Sequence, residues 1–169
     1  MAQPSYNIQG LKFLIVDDSQ NMSNLVKGVL VALGVEHFNI KVATDGADAL
    51  KELRHFVPDI AICDWNMEPL DGIEFTKMVR TSNDSANPFL PIIMLTGHTE
   101  MNRIVEARDA GIHEYLAKPI SAKSLYSRIS SIIDRPRPFV KTSGMNAYFG
   151  PDRRRKDNPA YRGPERRKA

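Results

Sequence analysis

Five apolar runs of four or five residues, each followed by a segment of helical periodicity, constrain this chain more than anything else in it. Phe13–Val16 ends abruptly in Asp17-Asp18, and Ser19 then offers an N-cap. Met22, Leu25, Val26, Val29, Leu30 and Leu33 follow as one apolar helical face, which Gly34 closes. Ile40–Ala43 is the second run. Asp45-Gly46 then turns the chain into a helix with Ala49, Leu50, Leu53 and Val57 inward and Pro58 as its stop. Ile60–Cys63 ends at Asp64, Asp71-Gly72 makes another turn, and Ile73, Thr76 and Val79 form a third stripe. Pro91–Leu95 ends at Thr96-Gly97 and leads to a helix from about Glu100 to Ala110, stopped by Gly111. Glu114–Ala117 ends at Lys118-Pro119, and Ser121 caps a last helix with Leu125, Ile129, Ile132 and Ile133 inward. Short apolar strands alternating with amphipathic helices call for an α/β fold: a parallel sheet covered by helices on both faces, with right-handed crossovers.

In such a sheet, sites form at the carboxyl ends of the strands. The residues arriving there are Asp17 and Asp18 from strand one, Asp64 from strand three, Thr96 from strand four and Lys118 from strand five. Taken singly, each has an ordinary reading: a solvated Asp-Asp turn, an N-cap at Asp64 or Thr96, a surface charge at Lys118. Four of five strands delivering a polar residue to one rim is not ordinary. Three carboxylates brought together repel, and a hard divalent cation with oxygen ligands relieves that repulsion. Mg²⁺ suits such a site because it takes one or two carboxylates, keeps waters, and completes its shell with phosphate. Lys118 can pair with a carboxylate at rest or with phosphate oxygens after transfer, and the Thr96 hydroxyl can donate to the same phosphate. A carboxylate can attack phosphorus to give an aspartyl phosphate.

Over about residues 10–135 the sequence resembles the receiver domain of two-component response regulators. The resemblance rests on Phe13-Leu14-Ile15-Val16-Asp17-Asp18-Ser19, on Asp64 followed by Asp71-Gly72, on Thr96-Gly97 and on Lys118-Pro119. Cys63-Asp64-Trp65-Asn66-Met67 is particularly similar to the chemotaxis branch. The resemblance implies a doubly wound, flavodoxin-like sheet of five parallel strands in the order 2-1-3-4-5. It implies that Asp64 accepts a phosphoryl group from a histidine kinase or phosphotransferase. Asp18, Asp64 and the Asn66 backbone carbonyl would hold Mg²⁺, with Asp17 acting through water. Thr96 and Lys118 would hold the phosphoryl group, Thr96 and Tyr115 would form the switch pair, and the Lys118–Pro119 bond would be cis. Output would be binding of another protein through the face of the fourth helix, fifth strand and fifth helix. Two positions depart from the family pattern, and a third bears on kinetics. Met67-Glu68-Pro69 stands where Met-Pro is usual, Gly97 stands where Ala or Ser is common, and His98 occupies a position tied to dephosphorylation rate.

Charge divides the chain. Residues 1–140 carry 14 basic and 17 acidic side chains, a net of −3, whereas residues 141–169 carry 9 and 3, a net of +6. The expected organisation is therefore a 1–10 N-terminal segment, an 11–135 receiver, and a 136–169 basic Pro/Arg-rich tail, extended or disordered when free. The tail contains an echo at a register of 13 residues: Tyr148-Phe149-Gly150-Pro151-Asp152-Arg153-Arg154-Arg155-Lys156 resembles Tyr161-Arg162-Gly163-Pro164-Glu165-Arg166-Arg167-Lys168. A solvated tail, a linear element docking on a partner or on the receiver, and a single-strand nucleic-acid contact are its three readings. The last is disfavoured because acids dilute the charge. An aspartyl-phosphate phosphohydrolase is the alternative for the body, although that class usually places Asp-x-Asp after its first strand. Cys63, alone and within an apolar run, reads as a buried thiol in a reducing compartment. No apolar run approaches the roughly 20 residues of a membrane span, and the start lacks a signal-peptide pattern; a cytoplasmic protein with no membrane partner is expected.

Overall fold

A computed structural model describes residues 6–97, 103–144 and 147–152. The strands are β1 (Phe13–Val16), β2 (Ile40–Ala43), β3 (Ile60–Asp64), β4 (Ile92–Thr96) and β5 (Glu114–Ala117). They form one sheet in the order β2-β1-β3-β4-β5, every pair parallel, as the resemblance implied. The helices are α1 (Gln20–Ala32), α2 (Gly46–Glu52), α3 (Gly72–Thr81), α4 (Ile104–Ala110) and α5 (Ala122–Asp134).

Strand periodicity sorts the core. Phe13, Ile15, Ile60, Ile62, Ile93, Leu95 and Leu116 face α1 and α5, meeting Val26, Leu30, Leu125 and Ile129. Leu14, Val16, Ala61, Cys63, Ile92 and Met94 face the other way, meeting Ala49, Phe75, Val79, Ala107 and Ala110 of α2, α3 and α4. Both sheet faces are thus apolar, which is why the strands read as continuous runs rather than alternations. Cys63 is fully buried within the second layer, and burial pushes its thiol well above the ordinary range.

Several local expectations change. Asp45 and Asp71 are not turns but N-caps, accepting from the amides of Asp48 and Glu74 three residues on. The glycines after them are first helical residues. The fourth strand is displaced by one residue, starting after Pro91, which cannot donate to a ladder. Helix α2 ends at Glu52, six residues before Pro58, and Val57 lies outside it and exposed. Leu25 and Ile133 also face solvent, because the buried stripes of α1 and α5 are narrower than the apolar pattern suggests. Ser121 caps α5 in a capping box with Ser124.

The main correction concerns the tail. Residues 139–144 and 147–152 are not extended away from the body. Strands β6 (Phe139–Lys141) and β7 (Phe149–Pro151) pair antiparallel and lie against the receiver. An aromatic cluster holds them. The Phe139 ring lies 5.0 Å from Phe89, 5.4 Å from His113 and 5.5 Å from Phe149, with the Arg80 guanidinium 5.1 Å over its face. The basic run 153–156 and the second element 161–168 lie outside the described residues, as do His98 and the expected helix start at Glu100. Among the described residues no helix is long and apolar enough to cross a membrane.

Candidate functional site

The carboxyl ends of β1 and β3 bring Asp17, Asp18 and Asp64 together. One oxygen from each lies within 4.8 Å of the others. Asp64 is the last residue of β3 and is buried, although its carboxylate reaches the rim. Asp17 is more enclosed: its Oδ1 accepts from the Ser19 amide at 2.8 Å, while Oδ2 is buried with no hydrogen-bond partner among the described residues. Burial first, then the neighbouring carboxylates Asp64 and Asp18, push the Asp17 pKa up to about 6, against the opposing pull of the Ser19 amide and Lys118. A buried, unpartnered carboxylate oxygen beside two further carboxylates is a donor set of hard oxygens whose negative charge exceeds that of the one ammonium facing it, Lys118. It fits a small divalent cation. Asp18 is exposed and lines an open cleft of about 420 Å³ with Asn66, Met67, Glu68 and Asp71. Glu68 therefore adds a carboxylate to the mouth of the same site.

Lys118 enters from the end of β5. Its Nζ donates to Asp64 Oδ1 at 2.7 Å, and its amide donates to the Thr96 carbonyl at 2.8 Å. That backbone bond fixes the lysine beside the fourth strand, where Thr96 is fully buried at the strand end. The Lys118–Pro119 and Glu68–Pro69 bonds are both cis. Tyr115 is half-buried on β5, and the Arg128 guanidinium of α5 lies 5.8 Å from its ring centroid. Thus the five polar residues at the strand ends converge on one rim, Asn66 borders the cleft, and Tyr115 stands further down the last strand.

Two contacts near the site carry no signal in the sequence. The Arg103 guanidinium lies 5.0 Å over the ring of Trp65, the residue after Asp64, and pairs with Glu106 at 2.8 Å. Trp65 is buried, with its Nε1 lacking an acceptor among the described residues. Gly72, at the start of α3, passes so close to β3 that a Cβ there would lie 2.5 Å from the Asp64 carbonyl oxygen. A pattern of residue types does not reveal either approach, because each joins segments that pair only in the folded chain.

The profile of the response regulator receiver domain matches residues 13–130. The chain belongs to the response-regulator receiver family. Its relatives include chemotaxis protein CheY-3 of Vibrio cholerae, 35% identical over 75% of this chain and 95% of the relative. Chemotaxis protein CheY of Pseudomonas aeruginosa is 36% identical over 74% and 98%. Among solved structures, a response regulator from Chloroflexus aurantiacus aligns with a TM-score of 0.66 and 32% identity, covering 74% of this chain and 98% of that one. The receiver domain of a Pseudomonas aeruginosa sensor histidine kinase, with a magnesium ion coordinated in its active-site cleft, aligns at 0.61 and 26%, covering 72% and 95%. Acceptance of a phosphoryl group on an aspartate is the general function of this receiver family.

Proposed function

We propose that Asp64 is the phosphoacceptor of this receiver and that Asp17, Asp18, Asp64 and the Asn66 carbonyl hold Mg²⁺. The observation that carries the reading is the 2.7 Å Lys118–Asp64 pair set among two further carboxylates at one rim. When bound, Mg²⁺ supplies positive charge to the phosphoryl oxygens and to the attacking carboxylate. The remaining work falls to the chain. An Asp64 oxygen attacks phosphorus, the new O–P bond forms as the bond to the donor imidazole breaks, and the imidazole leaves with its electron pair. Lys118, held by its backbone bond to Thr96, keeps a fixed ammonium beside the acceptor and transfers its pairing to a phosphoryl oxygen. The Thr96 hydroxyl, at the adjacent strand end, donates to a second oxygen. Asp17, poorly solvated, resists holding its charge unless a cation is present, which couples cation binding to readiness of the site.

The donor is a histidine kinase or phosphotransferase, a reading supported by the signalling relatives. The chain answers by presenting a changed surface to a protein partner on the face of α4, β5 and α5, where Tyr115 and Thr96 form the switch pair. Phosphotransfer from a ³²P-labelled kinase with Mg²⁺ tests the assignment. Wild type should take up alkali-labile, hydroxylamine-sensitive label, and Asp64→Ala should take up none. Equal labelling of the two proteins would rule Asp64 out. With EDTA present, wild-type labelling should fall by more than tenfold.

A further inference from the structure

The first of the two tail elements shows what its residues are for. Tyr148 is buried and its hydroxyl donates to the Pro151 carbonyl at 2.7 Å. Gly150 lies under that ring: a Cβ at position 150 would meet the Tyr148 hydroxyl at 2.6 Å and the Gly111 Cα at 3.0 Å. The Asp152 amide donates to the Pro138 carbonyl at 2.8 Å, closing the turn against the linker. Tyr, Gly and Pro therefore shape a turn whose backbone is completed by pairing with β6 and Thr142, and the glycine also lets it press flat on the backbone of the body at Gly111.

The seat beneath it is assembled mainly by the body. Arg80 Nε donates to the Gly111 carbonyl at 3.0 Å and Nη1 to the Pro88 carbonyl at 2.9 Å, which ties the end of α3 to the segments before β4 and after α4. Phe89 is 55% exposed and offers its ring to Phe149 at 5.6 Å. These residues stand at the amino ends of β4 and β5, the edge of the sheet opposite the carboxylates.

The second element, outside the described residues, repeats each part of the turn: Tyr161, Gly163, Pro164 and an acid, Glu165. It differs at one of the positions that touch the body, with Arg162 in place of Phe149. An arginine there can lie on the Phe89 and Phe139 rings, as Arg80 already lies on Phe139. Each chain thus carries two elements and one seat. We infer that the seat at Arg80, Phe89 and Gly111 is a recognition site for the Tyr-x-Gly-Pro-acid element, filled in cis by residues 148–152 and able to take residues 161–165 from a second copy of this chain. Charge favours that pairing, because the tail is net +6 and the body net −3. The cis element acts at an effective concentration on the order of millimolar and has the larger aromatic contact, so it holds the seat unless it is displaced. The inference is independent of the role given to Asp64.

The test uses full-length protein and a fluorescein-labelled peptide of residues 158–169, followed by anisotropy. The double variant Gly150→Val/Gly163→Val disables both internal elements and leaves the seat open. The peptide should bind this variant at least tenfold more tightly than it binds wild type. Adding Phe89→Ala should weaken binding at least fivefold, and a scrambled peptide of the same composition should not bind. The emission of Trp65, the one tryptophan of the chain, confirms that the variant core remains folded. Equal binding to variant and wild type, equal binding of the scrambled peptide, or no binding up to about 1 mM peptide would overturn the inference.

Discussion

His113 stands at the amino end of β5, buried, with Nδ1 3.3 Å from Nη2 of Arg80. A guanidinium only donates, so Nδ1 must be the unprotonated acceptor. Burial first, then Arg80 and Arg137, push the His113 pKa down to about 3. The unfolded chain therefore binds a proton at this site between about pH 6.5 and 3 that the folded chain refuses. The stability involved is intact above pH 6.5 and is lost as pH falls towards 3. Between pH 7 and 5 the loss is about 2 kcal/mol from this group. Urea unfolding of wild type and His113→Gln at both pH values checks this, since glutamine keeps an acceptor for Arg80 but has no titrating proton. The variant should lose about 2 kcal/mol less than wild type on acidification. The contrast with the carboxylate rim is instructive. Asp17, Asp18, Asp64, Thr96 and Lys118 were legible because each follows an apolar strand, and strand ends share one edge. His113 follows Gly111-Ile112 and precedes a strand, and nothing in its spacing foretells an arginine arriving from α3. The same holds for Arg103 over Trp65.

At the scale of elements, the five strands of the parallel sheet were readable to within one residue because both its faces are apolar, whereas β6 and β7 were not. The helices were readable in type but not always in extent. Asp45-Gly46 and Asp71-Gly72 look like turns because Asp-Gly favours turns. An Asp followed three residues later by a free helical amide is equally an N-cap, and the adjoining strand geometry selects that outcome. Gly72 then has a second duty. The space its side chain would need is taken by the Asp64 carbonyl at 2.5 Å and the Met94 sulfur at 2.7 Å. The methionine can move, but the carbonyl belongs to the strand that carries the acceptor. Gly72→Ala should therefore push α3 away from the end of β3. We expect a loss of about 1–3 kcal/mol in urea unfolding, together with phosphorylation by a small-molecule phosphodonor slowed at least fivefold. An alanine variant that matched wild type in both measurements would show that the junction yields at no cost.

At the scale of the whole molecule, a body of one net charge carries a tail of the other, and the structure shows where the two are tied. Composition and a 13-residue echo spoke for the tail in the sequence, and docking on the receiver was one of three readings left open. Neither signal could show that Phe139 and Phe149 find Phe89 at the far edge of the sheet. The tie is Glu114, the first residue of β5 and 3% exposed. It accepts from Arg137 of the linker at 3.3 Å and from the Ser131 hydroxyl at 3.2 Å, and it pairs with Arg128 of α5 at 3.6 Å. Arg128 also lies beside Tyr115, and the other end of β5 leads into Lys118, bound to Asp64. One strand therefore links the site rim to the tether of the hairpin. Glu114→Gln keeps an acceptor for Ser131 but removes a counter-charge from Arg128 and Arg137. Arg128 is partly exposed, so water recovers some of its loss, and the more enclosed Arg137 bears the larger part. We expect a global destabilisation of about 1–3 kcal/mol, below the full cost of breaking a fully buried pair. The local effect should be larger than the global one. Hydrogen exchange at the Thr142 and Asp152 amides, which donate to Tyr148 and Pro138, should accelerate more than exchange at β1 amides. Uniform acceleration across β1 and the hairpin would mean that Glu114 supports the body as a whole and is not the specific tether of the tail.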